Sequence, residues 1–388
     1  MRGKKKLLIG IGLVTIIVAF LFQSIRSGQN AIQVINDIIP GVTSFEKENS
    51  QYTVFAGYDE EKKIIGYGVI TRAAGYAGPI TVITGVKDDK IQKIKVLEQT
   101  ETPWFFQRVI SQGFLDVFKG KKIDEPFQIN EDIDEIAGAT ITSQGITSAV
   151  RKGAHWIAEN KMGVVIQKEK ENLLKIEDFI LVAIYCLVLT GITKRINKLR
   201  PLTLFLSFIF LGIWQSSPIT FANITTILTG NAPAIFEKLN WHLLVSGTML
   251  LTIIIGRNFY CNWMCPFGAI QEGFFRLAKF DYKQPYNLVR KAKLIIVPLV
   301  WFALVLGLLL NNPSISSYEP FSALFNLQAN KAQWLLMPFV LFVGVFIYRF
   351  WCQFFCPVGL TLSLLSKTKG VIRQWYVIIK AKATFLSQ

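Results

Sequence analysis

Leu243-Leu-Val-Ser-Gly-Thr-Met-Leu-Leu-Thr-Ile-Ile-Ile255 runs, after five residues, into Cys261-Asn-Trp-Met-Cys265-Pro266-Phe-Gly268. The same order returns further on, where Leu335-Leu-Met-Pro-Phe-Val-Leu-Phe-Val-Gly-Val-Phe-Ile347 is followed by Cys352-Gln-Phe-Phe-Cys356-Pro357-Val-Gly359. A lone buried thiol behaves as a small hydrophobe. One short cysteine pattern used twice, each time where an apolar run ends, points instead to a metal or redox centre at a membrane face.

The chain as a whole is rich in apolar residues, and they are clustered. Its 388 residues are 51% hydrophobic, and the mean hydropathy is +0.38. Runs suited to a hydrocarbon core of roughly 30 Å lie at Leu7–Ile25, Phe179–Ile192, Leu202–Trp214, Leu243–Ile255, Leu294–Leu310 and Leu335–Ile347. The first follows Arg2, Lys4, Lys5 and Lys6 and has no small-residue cleavage site after it, so it reads as an uncleaved anchor. The expected architecture is a polytopic α-helical membrane protein of about six transmembrane helices with one inserted α+β domain. Its parts are an anchor (1–25), an extracytoplasmic domain (26–175), a five-helix membrane domain (176–366) and a basic tail (367–388).

The net charge of +16 is unevenly placed. Residues 26–175 carry 19 basic and 20 acidic side chains, so the excess belongs to the apolar part. There Lys194, Arg195, Lys198 and Arg200 follow the second run, Arg257, Arg276 and Lys279 the fourth, and Lys367, Lys369 and Arg373 the sixth. The alternate loops, Gln215–Trp241 and Asn311–Trp334, hold only Lys238 and Lys331. Basic residues that stay cytoplasmic give this pattern. It predicts cytoplasmic termini and cysteine motifs, an extracytoplasmic 26–175, contact of the basic tail with membrane lipid, and no nucleic-acid partner.

Within the inserted domain, Tyr52–Tyr58, Ile64–Thr71, Ile80–Val86 and Ile91–Leu97 are rich in β-branched and aromatic residues and are separated by turn formers, predicting a small antiparallel sheet. Trp104–Gln112 and Gln144–Glu159 read as helices, with Thr142 or Ser143 as N-cap of the second. Before that helix stands Asp134-Glu-Ile-Ala137-Gly138-Ala139-Thr140-Ile-Thr142. Small residues beside helix N–H groups suit a phosphate, and a plain capping turn explains the same residues.

This segment resembles the flavinylation motif of the FMN-binding domain shared by the sodium-pumping quinone reductase C subunit, the Rnf complex G subunit and NosR-type membrane proteins. Gly75-Tyr76-Ala-Gly78-Pro79-Ile80 and Glu98-Gln-Thr-Glu101-Thr102-Pro103 resemble two further segments of that domain. The resemblance implies FMN bound covalently to Thr140 through a phosphoester, installed by a flavin transferase that recognises Asp134. It also implies cofactor contacts from Gly138, Ala139, Gly78, Glu101 and Thr102. Ala137 departs from the usual hydroxyl residue, and Trp104 stands where glycine is common.

On a helix the three-residue gap of each cysteine motif would set both thiols on one face, and the proline after each motif biases the second cysteine out of helical geometry. Cys261, Cys265, Cys352 and Cys356 could then share one iron–sulfur cluster or one zinc ion. The paired motifs resemble those of the NosR- and NapH-type membrane cores, in particular the short, dehalogenase-associated form without the ferredoxin tail. Together these features predict a membrane electron-transfer protein with FMN outside and a cysteine-ligated centre inside, serving a quinone or redox protein partner. A redox sensor or a maturation factor for an exported reductase is the rival. Cys186 and His242 read as packing and interfacial residues, and His155 as a residue of the domain helix.

Overall fold

The computed structural model describes residues 10, 12, 14–21, 37–76, 78–166, 174–236, 238–279, 286–325, 327 and 331–370. The chain divides into two compact units. One comprises 1–171, 225–237 and 304–316; the other comprises 172–224, 238–303 and 317–388.

In the first unit, β1 (Ser44–Asn49), β2 (Thr53–Tyr58), β3 (Ile64–Ala74), β4 (Pro79–Lys87) and β5 (Lys90–Gln99) form an antiparallel meander in sequence order. Alternation of the strand side chains explains the layers. Val54, Val69, Ile80 and Val82 face a core shared with Phe105, Phe114, Ile146, Val150 and Ile157. On the other face Phe55 and Ile83 pack with Ile38 and Ile39. Asp88 and Asp89 both hold positive φ (51° and 57°) in the two-residue loop between β4 and β5, as a tight hairpin turn requires.

Helices α1 (Pro103–Ser111) and α2 (Thr140–Lys161) follow the sheet. α2 lies on β3 and β4, and glycine permits the approach: a Cβ on Gly145 would stand 3.0 Å from the Ala74 carbonyl oxygen, and one on Gly153 2.8 Å from Val69. Thr71 ties the layers by donating to the Ala149 carbonyl at 2.6 Å.

The helical remainder comprises α3 (Ile176–Thr193), α4 (Leu199–Ser207), α5 (Phe221–Leu228), α6 (Leu239–Ile255), α7 (Phe259–Trp263), α8 (Pro266–Ala278), α9 (Tyr286–Leu309), α10 (Phe321–Phe325), α11 (Lys331–Phe346), α12 (Phe350–Phe354) and α13 (residues 357–370). Among the described residues one helix, α3, is long and apolar enough to cross a membrane, with mean hydropathy 1.9 over 18 residues. Leu199–Trp214, Leu239–Ile255, Leu294–Leu309 and Lys331–Phe346 are shorter apolar helices. Of the expected anchor, residues 10, 12 and 14–21 are helical, while 1–9, 11, 13 and 22–25 lie outside the described residues, as does the tail beyond 370.

Three local expectations are corrected. β1 was not anticipated, because Ser-Phe-Glu-Lys-Glu-Asn is a charged edge strand. The two loops Gln215–Trp241 and Asn311–Trp334 contain short helices, α5 and α10, that were not anticipated. Finally, α2 begins at Thr140, with Ala139 rather than Thr142 or Ser143 as N-cap. Thr142 is drawn to a partner far away in sequence, and Ser143 accepts from the Ile136 N–H at 3.3 Å.

Candidate functional site

Thr140 heads the 22-residue α2 and is half-buried. Gly138 enters the turn before it with φ of 83°, a left-handed geometry that only glycine adopts freely. The turn closes through Ala139 N–H to the Ile136 carbonyl at 2.8 Å. Ala139 offers no side-chain oxygen to the first turn, whose N–H groups give that end of the helix a partial positive charge. Asp134 is exposed on the approach to this turn.

The three sequence segments singled out in this domain converge. Gly75 N–H donates to the Gly78 carbonyl at 2.7 Å, making a tight turn at the end of β3. A Cβ on Gly75 would collide with the Glu101 carboxylate, and one on Gly78 with the Thr100 hydroxyl. Glu101 is fully buried and accepts a hydrogen bond from Thr142, in the first turn of α2. Its carbonyl accepts from Ser314 Oγ at 3.2 Å and Asn312 Nδ2 at 3.4 Å. Gly75 and Gly78 thus make room for Glu101 and Thr100. Thr102 is the N-cap of α1 without a side-chain cap bond, and Trp104 beside it is exposed.

The cysteine motifs are not continuous helices. Each first cysteine sits in a five-residue helix, Cys261 in α7 and Cys352 in α12. Each second cysteine breaks from it, Cys265 with φ −65° and ψ 116°, because proline opens the next helix at once. Cys265 Sγ then accepts from Gly268 N–H at 3.5 Å, and Cys356 Sγ from Gly359 N–H at 3.3 Å. Both sulfurs therefore face the positive ends of helices, α8 and α13, which works toward thiolate, but burial outweighs it and pushes both thiols up. The backbone repeats as well: Cys265 N–H reaches the Tyr260 carbonyl at 2.8 Å and Cys356 N–H the Trp351 carbonyl at 3.0 Å.

Two residues missed in the sequence clasp the motifs together. Asn258 Nδ2 donates to the Gly359 carbonyl at 3.3 Å, and Arg349 Nη1 donates to the Cys261 carbonyl at 2.7 Å. Both stand three residues before the first cysteine of their own motif. Superposing the two motifs in sequence would have exposed this shared polar position.

The four thiols share one neighbourhood. Cys356 lies within electrostatic reach of Cys352, Cys261 and Cys265, and Cys352 within reach of Cys261 and Cys265. Cys265 and Cys356 are buried, Cys261 and Cys352 half-buried. Among the described residues no three His, Cys, Asp or Glu side chains are gathered tightly enough for one metal ion. Four thiols in one neighbourhood suit a cysteine-ligated iron–sulfur cluster or a single zinc ion.

Beneath this site Glu272 is buried and surrounded by arginine. It accepts from Arg200 Nη1 and Nη2 at 2.8 and 2.6 Å, from Arg276 at 2.5 Å, and from Arg349 Nε and Nη2 at 3.1 and 2.8 Å. Burial works against its charge, but the Arg200 hydrogen bonds and the charges of Arg349, Arg200 and Arg276 prevail and hold its carboxyl down at about 2. Elsewhere, His155 Nε2 meets the Glu125 carbonyl at 2.8 Å, His242 packs edge-on to Trp241, and Cys186 is exposed.

Residues 75–155 match the family described as FMN-binding domain, and residues 239–285 and 334–377 match the 4Fe-4S binding domain. The chain is 27% identical over 193 residues to the Regulatory protein NosR of Pseudomonas aeruginosa, covering 45% of this chain and 26% of that protein. It is 32% identical over 144 residues to Protein NirI of Paracoccus denitrificans, covering 33% and 20%. To the G subunit of the proton-translocating ferredoxin:NAD(+) oxidoreductase complex of Clostridium ljungdahlii it is 27% identical over 154 residues, covering 37% and 83%. The chain spans about a quarter or less of the length of the NosR and NirI relatives. One polypeptide thus joins an FMN-binding domain to a 4Fe-4S binding domain and is similar to NosR, NirI and the G subunits of ion-translocating ferredoxin:NAD(+) oxidoreductases.

Proposed function

We propose that this chain is a membrane-bound electron-transfer protein, with FMN esterified to Thr140 on the extracytoplasmic side and an iron–sulfur cluster held by Cys261, Cys265, Cys352 and Cys356 at the cytoplasmic face. The observation that carries this reading is the pairing of two redox-cofactor domains in one chain. Bound FMN supplies one- and two-electron chemistry, while the protein supplies attachment, orientation and electrostatics. Thr140 offers the hydroxyl at the positive end of α2, where phosphate is favoured, and Asp134 is exposed where a flavin transferase reads the motif. Glu101, with Gly75, Gly78 and Thr142 around it, fixes the turn beside that helix start; Thr102, Gly138 and Ala139 complete the cofactor surroundings.

In this reading residues 1–25 are an anchor, 26–175 the flavin domain, 176–366 a five-helix membrane domain and 367–388 a basic tail on the lipid surface. The helical anchor residues, the apolar helix α3, the four shorter apolar helices and the scarcity of basic residues in the alternate loops support six spans. Quinone or an exported redox protein exchanges electrons with it. A second reading, a redox-sensing regulator, is favoured by the name of the NosR relatives.

The test is the denatured full chain, co-expressed with a flavin transferase, on a gel under ultraviolet light beside Thr140→Ala. A fluorescent band is expected from the parent chain alone. Fluorescence surviving the substitution overturns attachment at Thr140, and a dark parent band overturns covalent flavin.

A further inference from the structure

The clasp between the two cysteine motifs is symmetric in position but not in charge. Asn258 is neutral, whereas Arg349 brings a guanidinium, 6% exposed, into hydrogen-bond contact with the backbone of a thiol-bearing residue at 2.7 Å. That guanidinium lies within electrostatic reach of Cys261, Cys265 and Cys352. Its remaining nitrogens are held by Glu272, which also takes Arg200 and Arg276. Arg200 touches the motif as well, donating through Nε to the Asn262 carbonyl at 3.1 Å. Three guanidinium groups therefore share one buried carboxylate, and one of them, Arg349, stands within reach of three of the thiols. The carboxylate fixes the arginines, and two positive charges are left over.

We infer that Arg349, oriented by Glu272 and reinforced by Arg200 and Arg276, is a positioning residue that sets the reduction potential of the four-thiolate centre by favouring its reduced form. The inference rests on the cluster reading above. A centre with four thiolate ligands is anionic. On taking one electron from its donor it gains one negative charge, with no bond made or broken. Fixed positive charge in a site partly shut off from water stabilises the more negative state. The potential should therefore follow the charge of this group.

The experiment uses the full chain purified in detergent. Iron and sulfide are assayed first, and a redox titration is then followed by electron paramagnetic resonance. Arg349→Gln is expected to shift the midpoint to lower potential, and Glu272→Gln to higher potential. Arg276→Gln should lower it by less, because that arginine is 60% exposed and screened by water. Arg349→Lys, which keeps the charge, should lie between the parent and Arg349→Gln.

Midpoints that stay put, or that move in the same direction in Arg349→Gln and Glu272→Gln at full iron content, overturn the inference and leave the cluster reading intact. If Arg349→Gln loses its iron, Arg276→Gln and Glu272→Gln decide, and equal or like-signed shifts overturn it. A parent chain without iron or sulfide overturns the cluster reading and this inference with it.

Discussion

Asn258 of the first cysteine motif donates to the carbonyl of Gly359 in the second at 3.3 Å. Its side-chain oxygen meanwhile caps α7 by accepting from the Cys261 N–H at 3.2 Å. One amide thus holds its own motif and its partner. Asn258→Ala is expected to cost about 1–2 kcal/mol, from a lost cap and a lost hydrogen bond, and to lower iron per chain. Iron assay and thermal unfolding of the full chain check this; unchanged iron at parental stability contradicts the clasp.

Thr142→Val removes the donor that Glu101 receives inside the first unit. A buried carboxylate deprived of a donor costs about 1–3 kcal/mol or more. Hydrogen exchange over residues 140–161 should quicken, and a variant as protected as the parent would show that Glu101 does not depend on Thr142.

Gly145→Ala should lift α2 from the sheet. The added methyl meets the Ala74 carbonyl and the Ile80 side chain, both at 3.0 Å, and backbone cannot give way as a flexible side chain can. Overpacking of this kind costs about 1–3 kcal/mol. The measurement is again exchange at α2, where unchanged protection would contradict tight packing.

His155 gives the flavin-domain fold a pH dependence. Burial holds its pKa below the ordinary 6.5, against the opposing bond to the Glu125 carbonyl. The unfolded chain therefore binds a proton more readily than the folded one. Its stabilising contribution is complete above about pH 6.5 and is lost as pH falls from there toward the depressed folded value. Unfolding of the first unit followed from about pH 7.5 down to about pH 5 should show a decline that His155→Gln flattens. An equal decline in both chains would assign the acid sensitivity elsewhere.

What could be read along the chain was what local chemistry decides. β-Branched runs marked four strands because Val54, Val69, Ile80 and Ile91 each have a face to bury. Pro266 and Pro357 marked the break at each second cysteine, because a proline restricts its neighbour wherever it stands. What could not be read depended on distant partners. Thr142 looked like a cap because nothing nearby announces Glu101, and nothing near Glu272 in sequence singles it out. Arg200 and Arg276 counted only as cytoplasmic charge, and Arg349 was not singled out, until the fold brought all three to that carboxylate. β1 escaped because a charged edge strand has little apolar pattern to show.

The reciprocal bonds of Asn258 and Arg349 also impose an order on biosynthesis. A chain grows from its N-terminus, so Cys261 and Cys265 are made well before the residues that clasp them. Until Arg349 and Gly359 have been synthesised and brought alongside, the first pair of thiols has no frame. On the proposed four-cysteine site, cofactor insertion is therefore late, and a chain cut short before Cys352 has only one of the two cysteine motifs. At that proposed site the clasp acts as a check, in which only a polypeptide grown past Gly359 has a frame to load.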